Sequence, residues 1–344
     1  MDRSSADAFV YAKASGMLAK SFVGSRASKI FAVSSIQELW VLLFQEEVPA
    51  LPEVMLAEKL EQKAEATFIQ DYILLLRNYS APSPILVDLL RYYDYENLKD
   101  IIASLCKGQN SSDSPYLADI KEFSMLNYSG WPNLHTITQG SPLSWCNEVP
   151  SFEQQQEYDF KLDLQYLRSE WEGINKLPSA LKNTVSNLYK NEMILNNMIW
   201  AIRLRLYYGM SKEQVIPLLF TIQDCKSETN IKQDPLAGPV FRTLDWDLNS
   251  YETWAKWKYS HLLNPTTENT LWQIDPRWIQ QSAKVYFNKK ALKLFHRQPF
   301  TPAVLLTWFK IKQYELDCIR TATEGLRLNI PMKQAQAFAG ATEE

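Results

Sequence analysis

A chain of 344 residues, 46% hydrophobic and 22% charged, is long enough for more than one globular unit and too apolar to be disordered over most of its length. Its net charge of −3 gives no electrostatic basis for binding nucleic acid. Glycine numbers only 10, less than half the usual share. The tight turns, bulges and phosphate-cradling loops that need glycine are therefore few, which favours long helices over a β-rich or nucleotide-binding architecture.

Residues Ala6 to about Phe31 are rich in small side chains and are predicted to form one helix packed closely against others. Ser35-Ile36-Gln37-Glu38 reads as a capping box opening a helix with Leu39, Leu42, Leu43 and Phe44. A long helix is predicted from Glu53 to Leu76. The next runs from Ser83-Pro84, an N-cap with proline at the first position, to Gly108, and Leu86, Leu89, Leu90, Leu98, Ile101, Ile102 and Leu105 form its apolar stripe. From Gln109 to Ser151, clusters of Ser, Asn, Gly and Pro mark loops and a candidate boundary.

Helical periodicity resumes near Phe152, breaks at Leu177-Pro178 and returns from Ser179 to Gly209. Ser211 to Gln214 is a second capping box. Residues 224–250 read as a polar loop zone. Asp275-Pro276 and Thr301-Pro302 cap two further helices, the last predicted to stop at Gly325, and the tail after Pro331 is expected to fray. No stretch alternates apolar and polar residues, so the fold class is all-α. The longest unbroken apolar run, Leu39 to Phe44, falls far short of a membrane span, and the N-terminus lacks the order of a signal peptide. Cys106, Cys146, Cys225 and Cys318 have no CxxC spacing and are expected to be reduced thiols.

Three helical positions echo one another: Asn97-Leu98-Lys99, Asn197-Met198-Ile199 and Cys318-Ile319-Arg320. Tyrosine and acidic residues precede the first and third; in the second, Glu192 comes earlier and Asn196 stands in the acidic place. Spacings of about one hundred and about one hundred and twenty residues suggest three copies of one helical unit. The corresponding division is residues 1–110, 111–215 and 216–330, with 331–344 as tail.

The runs YAKASGMLAKSF, LLRYYDYENLKDII, NMIWAIRLRLYYG and KQYELDCIR, in this order and spacing, resemble the C/d family of V-type (vacuolar/archaeal-type) ATPase subunits in its bacterial form. The resemblance implies three similar helical bundles about a pseudo-threefold axis, arranged as a funnel. It also implies a non-catalytic central-stalk role, as adaptor between the shaft subunits of the ATP-hydrolysing head and the proteolipid rotor ring, in support of proton or sodium transport. The chain would then lie on the cytoplasmic face of the membrane, held there through its partners, with no cofactor. Asn97, Lys99, Arg203, Arg205 and Arg320 are the residues expected at interfaces or between bundles. Gln313 and Cys318 depart from the family pattern, and residues 109–151 have little that matches.

For catalysis, the residues offer little. His135, His261 and His296 are far apart, without a second ligand at helical spacing, and neither GxxxxGK[ST] nor GxGxxG occurs. Glu46-Glu47 and Glu343-Glu344 read as solvated pairs. Trp254 and Trp257 beside Lys256 and Lys258 read as core aromatics with snorkelling lysines. Lys284, Lys289, Lys290, Lys293, His296 and Arg297 form a basic helix, solvated or facing an acidic surface or anionic lipid. Arg203 and Arg205 are expected to pair with carboxylates between helices or to point at the shaft. The rival reading is a free helical repeat scaffold binding an unrelated soluble protein.

Overall fold

The computed structural model describes residues 3–108, 115–225, 227–266 and 271–341. The Glu343-Glu344 pair and residues 109–114 of the polar run after Gly108 lie outside the described residues. Every regular element among them is helical. The longer helices are α1 (Arg3–Lys20), α2 (Ile36–Phe44), α3 (Glu53–Leu76), α4 (Pro84–Cys106), α5 (Gln155–Asn175), α6 (Asn187–Tyr208), α7 (Pro276–Phe295), α8 (Ala303–Arg327) and α9 (Met332–Ala339). Short α, 3-10 and π turns link them.

The chain folds as two compact units, residues 1–13 with 62–176 and residues 14–61 with 177–344, so α1 and α3 each contribute to both. In the first, α4 packs along α5. Leu98, Ile101, Ile102 and Leu105 of α4 meet Leu126, Leu134, Ile137, Leu143 and Cys146 from the segment after it, closed by Leu162 of α5. The stretch that reads as a boundary in sequence thus supplies one wall of a core. Its Ser, Asn, Gly and Pro residues set the turns, while a few spaced apolar residues do the packing. In the second unit, α7 lies against both α6 and α8. The 3-10 segment Gly24–Phe31, α2 and α9 pack on α8, which is buried along most of its length.

Several helix ends follow local chemistry. Ser35 accepts the Glu38 N–H, but the Glu38 carboxylate turns to the N–H and hydroxyl of Ser34, one residue ahead of a regular capping box. The box at Ser211 and Gln214 is complete. Asp275 caps α7 by accepting the Arg277 N–H.

Three expectations change. The predicted Ala6–Phe31 helix stops at Lys20, because the Arg26 guanidinium takes the Leu18 and Ser21 carbonyls at 2.5 and 2.9 Å in place of a further helical turn. The last long helix does not stop at Gly325 but runs to Arg327. The glycine serves close approach instead, since a Cβ there would sit 3.1 Å from that of Ala335 on α9. The segment expected to fray contains α9, docked through buried Ala335 and Ala339. Its partner surface on α8 is formed only in the folded chain.

Candidate functional site

The echoed positions gather the buried polar residues. Asn97 on α4 is 2% exposed, and its amide clamps one backbone residue 21 places downstream. Nδ2 donates to the Ala118 carbonyl and Oδ1 accepts the Ala118 N–H, both at 2.8 Å. Nδ2 also donates to the Tyr128 hydroxyl at 2.8 Å. Asp94, one turn earlier and wholly buried, accepts from the Ser124 hydroxyl at 2.7 Å, the Met125 N–H at 2.8 Å and the Tyr128 hydroxyl at 2.5 Å. Burial pushes the Asp94 carboxyl up, outweighing these three donors, and burial beside Asp94 raises the Tyr128 phenol. The segment after α4, lacking regular structure over much of its length, is thus tied to the helix by side chains.

Asn197 on α6 repeats the clamp. Nδ2 donates to the Phe220 carbonyl at 2.9 Å, and Oδ1 accepts the Phe220 N–H at 3.1 Å, 23 places downstream. The carboxylate beside it comes from elsewhere. Asp234, in the following loop, accepts the N–H groups of Ile222, Leu236 and Ala237 at 2.8 to 2.9 Å. The alignment by sequence places Asn196 in the acidic position, but Asn196 lines an open cleft with Glu192 and Arg203, and Glu192 pairs with Lys310 at 3.0 Å. Asp234 performs the task.

At the third position Cys318 is buried beside Tyr314, and burial pushes its thiol up to about 12. No amide clamp forms. Glu315 stands three residues before Cys318, as Asp94 stands three before Asn97. Its carboxylate accepts the Phe22 N–H at 2.5 Å and pairs with Lys312, which also donates to the Ser21 hydroxyl at 3.0 Å. The segment that Glu315 secures comes from the start of the chain, not from residues after the helix.

Of the remaining predicted residues, Lys99 bridges Glu96 at 2.7 Å and Asp163 of α5 at 2.5 Å. Burial alone would lower its ammonium; the two carboxylates outweigh burial and hold it above its ordinary value. Arg203 donates to the Gln280 amide oxygen of α7 at 2.5 Å, and Arg205 to the Trp246 carbonyl at 2.9 Å. Both acceptors are neutral, where the sequence suggests carboxylates. Arg320 is exposed and lines a cleft between α7, α8 and α9 with Arg277, Lys284 and Asp317, the last two paired at 2.8 Å.

Asp234 and Lys312 escape sequence reasoning, since Asp234 lies outside the echoed helices and Lys312 finds Ser21 only in the folded chain; Glu315 is legible as an acidic residue before the third triplet, but its partner, the Phe22 N–H, is not. The only local signal is the Asp234-Pro235 dipeptide, a turn former. Trp254 is wholly buried, its indole N–H on the Asp247 carbonyl at 3.0 Å, so it has no free face for a ligand. Among the described residues no three of His, Cys, Asp and Glu converge as a metal site. The convergent polar chemistry at the echoed positions is spent on holding backbone.

The family model described as ATP synthase (C/AC39) subunit matches residues 10–338. An uncharacterized protein of Treponema pallidum (strain Nichols) is 29% identical over 351 residues, covering 99% of this chain and 98% of the relative.

Proposed function

We propose that this chain, which belongs to the ATP synthase (C/AC39) subunit family, the C/d family of V-type ATPase subunits, acts as the non-catalytic adaptor between the rotating shaft of the ATP-hydrolysing head and the proteolipid ring. The observation that carries this reading is the family match over nearly the whole chain, residues 10–338. In this role the three echoed helical units are three bundles of one adaptor body, and coupling supports proton or sodium transport from the cytoplasmic face.

The polar groups support the reading. Torque passes through a body only if its loops do not yield before its interfaces do. Asn97, Asn197, Asp94 and Glu315 tie irregular segments to long helices, and Asp234 braces the loop that Asn197 holds, through buried or part-buried hydrogen bonds. Among the described residues no helix is long and apolar enough to cross a membrane, which suits a protein attached to the ring from outside.

Deletion in the native host tests the proposal. ATP hydrolysis by the head should persist while ion transport in membrane vesicles fails; unimpaired transport would overturn it. Purification through a tag on this chain should bring down both shaft and ring subunits. Recovery of an unrelated soluble partner alone would favour the scaffold reading.

A further inference from the structure

The facing sides of α6 and α7 leave a cleft of about 220 Å³ within the second unit. Its base is apolar. Ile199 and Phe287 are buried there, and Ala283, one turn before Phe287, contributes only a methyl group. Trp200 also lines the cleft, its indole N–H fixed on the Leu218 carbonyl at 2.9 Å.

The charges around this cleft do not balance. Glu192 is paired with Lys310 at 3.0 Å, and Lys284 with Asp317 at 2.8 Å. Arg203 is half-buried, and its guanidinium donates to the neutral amide oxygen of Gln280 at 2.5 Å. Among the described residues no carboxylate lies within ion-pair distance of Arg203, and the rest of its N–H fork meets no acceptor. Glu192, the acid in the cleft, stands eleven residues away on α6, about 16 Å along the helix axis. One positive charge is left over. A guanidinium so placed gains most from a carboxylate, which its planar fork can hold through two parallel N–H bonds.

We propose that the α6–α7 cleft binds a short free monocarboxylic acid, its carboxylate on Arg203 and its hydrocarbon chain over Ile199, Phe287 and the indole of Trp200. Volume sets the size: the cleft falls below the ~300 Å³ at which pockets for drug-sized ligands begin, so the acid is a short one. Charge sets the valence, because one unmatched cation favours a monoanion and Glu192 in the same cleft repels a second negative group. The apolar base disfavours inorganic phosphate, which would exchange water for a surface that offers no hydrogen bonds. Arg205, two residues further on, has no comparable vacancy for an acid: it donates to the Trp246 carbonyl, and the charges of Asp245 and Asp247 act on it. The site goes beyond the adaptor reading and does not depend on it.

The test is isothermal titration of the isolated full chain with hexanoate. Saturable binding is expected, with a dissociation constant on the order of 1 mM. Hexanol keeps the chain without the charge, and inorganic phosphate keeps a charge without the chain; each should bind about tenfold more weakly or not at all. R203M should weaken hexanoate about tenfold or more, and R203K, which retains the charge but not the fork, by less. A283L should abolish binding by filling the base of the cleft while leaving Arg203 in place. R297Q, with the same loss of charge at an exposed position, should bind as the parent does, and thermal melting should show each variant folded.

Absence of saturable hexanoate binding would overturn the proposal, as would binding unchanged in R203M or in A283L. Equal binding of phosphate would overturn it too, leaving only a general anion site. So would hexanoate binding to the isolated chain but not to the chain assembled in its native complex, since the carboxylate would then come from an acidic side chain of a partner. Because the first titration is read on the isolated chain, its failure is distinct from a failure of the transport test.

Discussion

The clamp around Asn97 and the clamp around Asn197 use one amide geometry with two different carboxylates. In the first, Asp94 reaches out from the helix to the segment after it; in the second, Asp234 sits in the segment itself and gathers its own backbone N–H groups. Both leave an irregular loop with its buried donors and acceptors met, which is the physical requirement. The unit around Cys318 drops the amide and keeps the carboxylate at the Asp94 position, directing it to Phe22. What recurs is the task of holding a loop against a long helix. The residue that performs it can move between elements as long as the buried backbone finds a partner.

The comparison breaks most visibly if the amides are removed. Asn97→Leu strands the Ala118 N–H and carbonyl and is expected to cost about 4 kcal/mol, with Asn197→Leu slightly less because it loses no tyrosine contact. Urea denaturation of the purified chain measures both, and a negligible cost at Asn197 would end the equivalence of the two sites. In the assembled complex, Asn97→Leu should loosen retention of this chain without altering hydrolysis by the head.

The next largest effect is expected at the third site. Glu315→Gln leaves Lys312, with only 12% of its side chain exposed, without its counter-charge, at a cost of about 3 kcal/mol. Hydrogen exchange should show faster opening around Phe22 in this variant. Unaltered protection there would mean that the start of the chain is held by packing alone.

Asp94 sharpens the contrast through pH. Its folded-state carboxyl is raised above the ordinary carboxylate value by burial, so between those two values the folded protein binds more protons than the unfolded chain. The contribution of Asp94 to stability therefore rises as pH falls through that window. Relative to Asp94→Asn, the parent protein should gain stability on acidification from neutral pH, read as a growing difference in denaturation midpoints. A difference that stays flat or shrinks would mean that the three donors, not burial, dominate the site.

The smallest effect is expected for Lys99→Met, about 1 kcal/mol. The lysine keeps some solvent contact and both of its carboxylate partners are more exposed than it is. A loss several times larger would make the α4–α5 bridge as important as the amide clamps.

Helix periodicity, proline at first positions and the scarcity of glycine determined an all-helical chain, and the echoed triplets paired Asn97 with Asn197. These signals are local: a helix stripe, a cap or an echo can be read without knowing what lies across from it. The tertiary structure decided that residues 115–150 wall a core, that Gly325 marks a close approach and not a helix end, that Asp234 replaces a helical acid, and that Glu315 reaches back to Phe22. Each depends on a group brought close by folding, an apolar side chain in the first two and a backbone N–H in the last two, and no side-chain pattern along the sequence encodes which N–H a buried carboxylate will meet.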